Sequence, residues 1–101
     1  MKIIKIAQAR LSDVCEVRIN FPDADFWLQR KGSKENVGKP LKEFYPENIG
    51  IRVVRTDVLD PNYLYYVFMS LHNQGKFQQM CSGALNLQHI RVEDVRGIGL
   101  G

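Results

Sequence analysis

The dipeptide Asp60-Pro61 limits what this chain can fold into more than any other feature, because it starts a helix around which the rest must pack. An N-cap carboxylate accepts hydrogen bonds from orphan backbone N–H groups, and proline at the first helical position sacrifices no bond. Leu64, Val67, Phe68 and Leu71 then recur at i, i+3, i+4 and i+7 as a core-facing stripe, and Gly75 is placed to end the helix. The expectation is an amphipathic helix over about residues 61–73.

The flanking segments carry strand signals. Ile3 to Ala7 is isoleucine-rich, and Val14 to Phe21 alternates Cys15, Val17, Ile19 and Phe21 with Glu16, Arg18 and Asn20, the pattern of a half-buried strand. Phe21-Pro22-Asp23-Ala24-Asp25 supplies turn chemistry before a short strand at Phe26-Trp27-Leu28. Arg30 to Lys39 reads as a glycine-punctuated loop, and Pro40 to Asn48 as irregular chain or a turn of helix. Ile49 to Arg55 is a strand with Ile51, Val53 and Val54 as its buried positions. After the helix, Lys76 to Cys81 reads as a second short helix and Gly83 to Gln88 as a polar loop. Ile90 and Val92 suggest a brief extended piece, Glu93 to Arg96 a helical turn, and Ile98 with Leu100 a last strand.

At 101 residues, with 45% hydrophobic and 25% charged residues, the chain suits one folded core rather than a disordered segment, and we expect a single module over 1–101. The formal net charge of +3 suits a polyanionic partner without requiring one. Cys15 and Cys81 lie among apolar residues without a Cys-x-x-Cys spacing, so reduced core cysteines are expected, a disulfide between them being the minor alternative. Lys5, Gln8 and Arg10 break the N-terminal apolar run, which fits neither a signal peptide nor a spanning helix. A cytoplasmic location with no membrane partner is the expectation.

Several chemistries find no support. Asp60-Pro61-Asn62-Tyr63 is superficially similar to the acidic-Pro-Pro-aromatic tetrapeptide of amino-methyltransferases, but the chain lacks the glycine-rich turn and the length for a methyl-donor site, and helix capping explains the same residues. His72, on the expected exposed side of the helix, and His89, in a polar loop, lack HExxH or Cys/His ligand spacing. No catalytic residue, metal ligand or cofactor is assigned, and the chain is expected not to be an enzyme.

Two polar segments are more informative. Arg30, Lys31, Lys34 and Lys39 share a run with Gly32, Ser33, Asn36 and Gly38, where small residues let backbone N–H groups approach a phosphate and the cations displace counterions. From composition alone a solvated hairpin loop is the simpler reading of the same residues. Gly83 to Arg91 offers Asn86, Gln88, His89 and Arg91, side chains able to address base edges in a major groove. Tyr63, Tyr65 and Tyr66 read as packing residues with wet hydroxyls rather than a stacking platform.

Taken in order, Phe26-Trp27-Leu28-Gln29-Arg30-Lys31-Gly32-Ser33, Asn36-Val37-Gly38-Lys39, Ile49-Gly50-Ile51-Arg52-Val53, Asp60-Pro61-Asn62-Tyr63-Leu64-Tyr65-Tyr66-Val67-Phe68, Gly83-Ala84 with Ile90, and Asp94-Val95 with Ile98 resemble the target-recognition domain of type I restriction-modification specificity subunits. The resemblance runs from about Leu11 to Leu100. It implies an α+β fold: a small mixed, strongly bent β-sheet with a central amphipathic helix and short flanking helices. Against the family pattern, the segment between strands is shortened, Ala84 replaces the usual hydroxyl residue of the glycine loop, and no heptad-patterned helix is present.

The resemblance implies a stand-alone module, of the kind a phage or mobile element encodes, that binds duplex DNA in a sequence-specific way without catalysis. Lys31, Lys34 and Lys39 would contact phosphates from a loop that includes Ser33, with Arg30, Gln88, His89 and Arg91 addressing base edges. The alternative is a protein-interaction module that assembles with or antagonises a restriction-modification subunit, a methyltransferase subunit or a second copy of itself being the partner.

Overall fold

The computed structural model describes residues 9–79, 82–84 and 87–100. The expected strand at Ile3 to Ala7, Met80 and Cys81 lie outside them. Helix α1 (Leu11–Val14) leads into β1 (Cys15–Arg18), followed by β2 (Phe26–Leu28), β3 (Lys31–Gly32), β4 (Pro40–Leu41) and β5 (Ile49–Val53). Helix α2 (Pro61–Asn73) and one 3-10 turn (Lys76–Gln79) precede β6 (Ser82–Ala84), β7 (Leu87–His89) and α3 (Val92–Arg96). The strands form two antiparallel sheets, ordered β1-β5-β2-β4 and β3-β7-β6. The α+β class and its central helix are as expected; among the described residues, strand pairing is antiparallel and divided between two sheets rather than mixed within one.

The larger sheet follows from alternation. Register pairs Cys15 with Val53, Val17 with Ile51, and Ile51 with Phe26, so these apolar residues share one face, while Glu16 lies opposite Arg52 on the other. Helix α2 covers the apolar face: the Phe26 ring meets Tyr65 edge-on at 5.5 Å and Phe68 at 5.7 Å. Leu11, Val14, Val37, Phe77, Ile90 and Val95 complete this core. On the opposite face, Gly50 leaves room for Phe21, whose carbonyl accepts a 2.9 Å hydrogen bond from Trp27 Nε1. The exposed edge of β1 is covered where Arg96 donates Nε and Nη2 to the Val17 carbonyl at 3.0 and 2.8 Å, which blunts further strand pairing there.

Helix α2 begins as its sequence dictates. Asp60 has extended backbone angles and accepts the Asn62 N–H at 2.9 Å, with Pro61 in the first turn. Leu64 and Phe68 are buried, Val67 and Leu71 half-buried, and Gly75 follows the helix at φ 75°. Replacing Asp60 by alanine is expected to cost about 1 kcal/mol of stability, read as a lower urea midpoint with unchanged slope, because one N-terminal N–H loses its partner.

Other expectations need correction. Val14 ends α1 rather than starting a strand, and β1 stops at Arg18, because Asn20 takes φ 51° and turns Ile19 outward. The strand from Ile49 ends at Val53, after which the Val54 and Arg55 N–H groups both bond the Val14 carbonyl, so Val54 is 56% exposed rather than buried. The short helix after Gly75 is a single 3-10 turn carrying buried Phe77. Val92 opens α3 instead of extending, since Asp94 accepts the Arg91 N–H at the helix start. Ile98 to Leu100 forms no strand, only an isolated bridge between Gly99 and Arg10.

Candidate nucleic-acid interface

The three-stranded sheet unites the two polar segments. Lys31 lies opposite His89 and Gly32 opposite Gln88, while Ser82, Gly83 and Ala84 pair with His89, Gln88 and Leu87. Gly83 to Gln88, expected as a polar loop, therefore contributes to both strands of a hairpin, and His89 is a strand residue rather than a loop residue. Polar composition hides these strands, because their backbone groups find partners only when β3 arrives from far away in sequence. A hollow of about 250 Å³ is bordered by Lys31, Gly32, Gln88 and His89. Lys31 also borders a second, with Gln29, Leu41, Tyr45, Glu47 and Asn48, so the two are neighbours on one surface.

The basic loop is held at both ends. The Gln29 N–H donates to the Lys39 carbonyl at 3.0 Å and the Gly38 N–H to the Gln29 carbonyl at 2.8 Å, which closes the intervening chain. Inside it, Ser33 accepts the Asn36 and Val37 N–H groups on its carbonyl and Asn36 Nδ2 on its hydroxyl. Buried Val37 anchors the loop, and Gly38, at φ 83°, lies where a Cβ would come within 2.7 Å of Phe77. Ser33 is thus a turn-forming residue, while Lys31, Lys34 and Lys39 are exposed.

The two arginines have partners within the protein. Arg30 Nε donates to the Glu47 carbonyl at 2.8 Å, and the Arg30 N–H donates to the side chain of buried Asn48 at 3.3 Å. Arg91 donates to both carboxylate oxygens of Asp94, at 3.2 and 3.3 Å, and that contact raises its already high pKa. Gln88 differs: it is half-buried, and its Oε1 is enclosed without a hydrogen-bond partner. Asn48 and Tyr45 were not singled out in the sequence as belonging to this surface. A polar residue immediately before a strand gives no signal of a contact made eighteen residues back in the chain.

Elsewhere, Tyr65 packs as expected, but Tyr63 and Tyr66 are 64% and 70% exposed, which corrects their assignment as packing residues. Cys15 is a free, buried thiol that burial, and then the nearby Asp25 charge, pushes up to about 12, so it stays protonated at neutral pH and is a poor nucleophile. Among the described residues no group of His, Cys, Asp and Glu is placed to hold a metal ion, and no helix is long and apolar enough to cross a membrane.

No family model matches this chain, and no curated protein does. Among solved structures, the crystal structure of a type I restriction-modification system S subunit from M. genitalium matches with a TM-score of 0.66 at 13% sequence identity, over 89% of this chain and 32% of that one. The chain thus spans about a third of that subunit's length. At this identity the likeness is one of fold: the chain has a small α+β fold similar to that of part of a type I S subunit.

Proposed function

We propose that the chain is a sequence-specific duplex DNA-binding module without catalytic activity, related to the target-recognition domains of type I specificity subunits. The observation that carries this reading is the cross-strand placement of Lys31 with His89 and Gly32 with Gln88, which joins two DNA-suited segments in one small sheet. The fold likeness supports the same conclusion. Lys31, Lys34 and Lys39 contact phosphates, and Arg30, Gln88, His89 and Arg91 are the candidate base-reading side chains. The internal bonds of Arg30 and Arg91 make them fixed elements of that surface rather than free arms.

The test is fluorescence-anisotropy binding of the whole chain to random duplex DNA at two salt concentrations, followed by sequencing of the retained fraction. Retention that weakens steeply with salt, together with an enriched motif, is the expected result. Retention absent at low salt removes the reading. Replacing Lys31, Lys34 and Lys39 together by alanine is expected to weaken binding evenly across sequences and to flatten the salt dependence by roughly 0.9 in log–log slope per lysine. The melting temperature should change little, because all three side chains are exposed and the contacts of exposed lysines are weak.

One observation favours a second reading, a protein-interaction module. An apolar cavity of about 490 Å³ runs along α2, lined by Leu59, Tyr63, Leu64, Val67, Leu71 and Leu100. A methyltransferase subunit or a second copy of the chain held there would bind with little salt dependence and without need of the three lysines.

A further inference from the structure

We infer that Gln88 is the specificity-determining residue of this surface, and that it reads the exocyclic amino group of one base, adenine N6 or cytosine N4, through its unpaired Oε1. The inference rests on the DNA-binding reading above. Three observations single Gln88 out from the other candidates. Its Oε1 is an enclosed acceptor without a partner, whereas Arg30 Nε is bonded to Glu47 and the Arg91 guanidinium to Asp94. Its cross-strand neighbours on both sides, Gly32 and Gly83, carry no side chain of their own, and the Gln29 amide lies over Gly32. It borders the hollow that Lys31, Gly32 and His89 also line.

Chemistry then sets the kind of base. An acceptor left unpaired in the free protein is relieved only by a donor, and turning the amide outward breaks no existing bond of that oxygen. In the major groove the donors on base edges are the amino groups of adenine and cytosine, while guanine and thymine present oxygen acceptors at the corresponding place. Lys31 and His89, cross-strand partners of each other, alternate with Gly32 and Gln88 and so point to the opposite face of the sheet, which keeps them off the base edge that Gln88 reads.

The experiment compares the sequences retained from random duplex DNA by the wild-type chain, Gln88→Met and Gln88→Glu. Met keeps the length of the side chain without the acceptor; Glu keeps an acceptor. The wild type is expected to enrich adenine or cytosine on one strand at one position of its motif. Gln88→Met should lose that enrichment alone, by roughly tenfold or more, while Gln88→Glu keeps the same base. Removing the amino group at that position, with purine in place of adenine or a pyrimidinone in place of cytosine, should weaken the wild type by a similar factor and leave Gln88→Met unaffected. A motif unchanged in Gln88→Met overturns this inference while leaving DNA binding intact, as does a Gln88-dependent preference for guanine or thymine on the strand being read. If the wild type retains no DNA at low salt, DNA binding itself fails and this inference falls with it.

Discussion

Phe26→Ala is expected to lose about 3–5 kcal/mol of folding stability, the largest loss we anticipate from a single truncation in this protein. Phe26 is fully buried at the centre of the larger sheet, where it meets Tyr65 and Phe68 of α2. Phe68 in turn stacks on Phe77 at 5.6 Å, so Phe26 is the first member of an aromatic chain running from the sheet to the 3-10 turn. Truncation removes the transfer energy of the ring, leaves a cavity bounded by regular secondary structure, and forfeits two ring contacts worth about 0.5–1.5 kcal/mol each beyond their area. A domain of this size has a total stability of roughly 5–15 kcal/mol, so the variant should unfold far below the wild-type urea midpoint with the slope preserved. Tyr63→Ala, on an exposed position of the same helix, should shift the midpoint little. A Phe26→Ala cost under about 1 kcal/mol would mean that α2 settles onto the sheet and refills the space, and that the aromatic chain is not what fixes the helix.

What could be read in the sequence follows from the range of the interactions involved. The Asp60-Pro61 start, the Leu64 and Phe68 stripe and the β2 and β5 strands are legible because local periodicity and capping determine them. Tyr63 and Tyr66 were misread as packing residues although both fall off the phase of the stripe, and the Arg91–Asp94 pair, an i, i+3 contact, was not singled out. The three-stranded sheet was not legible. Its β3 strand is two residues long, lacks apolar alternation, and depends on partners more than fifty residues away. Arg30 shows the same limit: composition makes it a free cation in a loop, whereas the Glu47 carbonyl, brought alongside by folding, binds its Nε.

Gly38→Ala is expected to cost about 2–4 kcal/mol and, at temperatures where the variant is still folded, to weaken the DNA binding proposed above as well. Two separate physical effects act at this position. The backbone angle φ of 83° is strained for any residue with a side chain, and the added Cβ would lie 2.7 Å from both Cβ and Cγ of Phe77. Those atoms sit next to the Phe77 backbone, so rotating a side chain cannot relieve the clash; either the 3-10 turn or the loop must move. The Gly38 N–H bond to the Gln29 carbonyl closes the loop that carries Lys34 and ends at Lys39, so a displaced Gly38 carries those cations away from Lys31 on β3. Gly99→Ala is the internal control, because nothing lies within 4 Å of its Cβ position and it should change stability little. Urea denaturation of Gly38→Ala, of Phe77→Ala, which removes Cγ and Cδ2 though not Cβ, and of the double variant separates the two effects. A clash gives a double variant more stable than the sum of the single losses predicts, whereas backbone strain gives simple additivity. If Gly38→Ala folds as stably as the wild type but binds DNA less well, the loop has moved without loss of packing, and its position rather than its charge governs affinity. If stability and binding are both unchanged, Gly38 and Phe77 do not hold the loop, and the closing contacts at Gln29 and Lys39 are sufficient to keep the lysines in place.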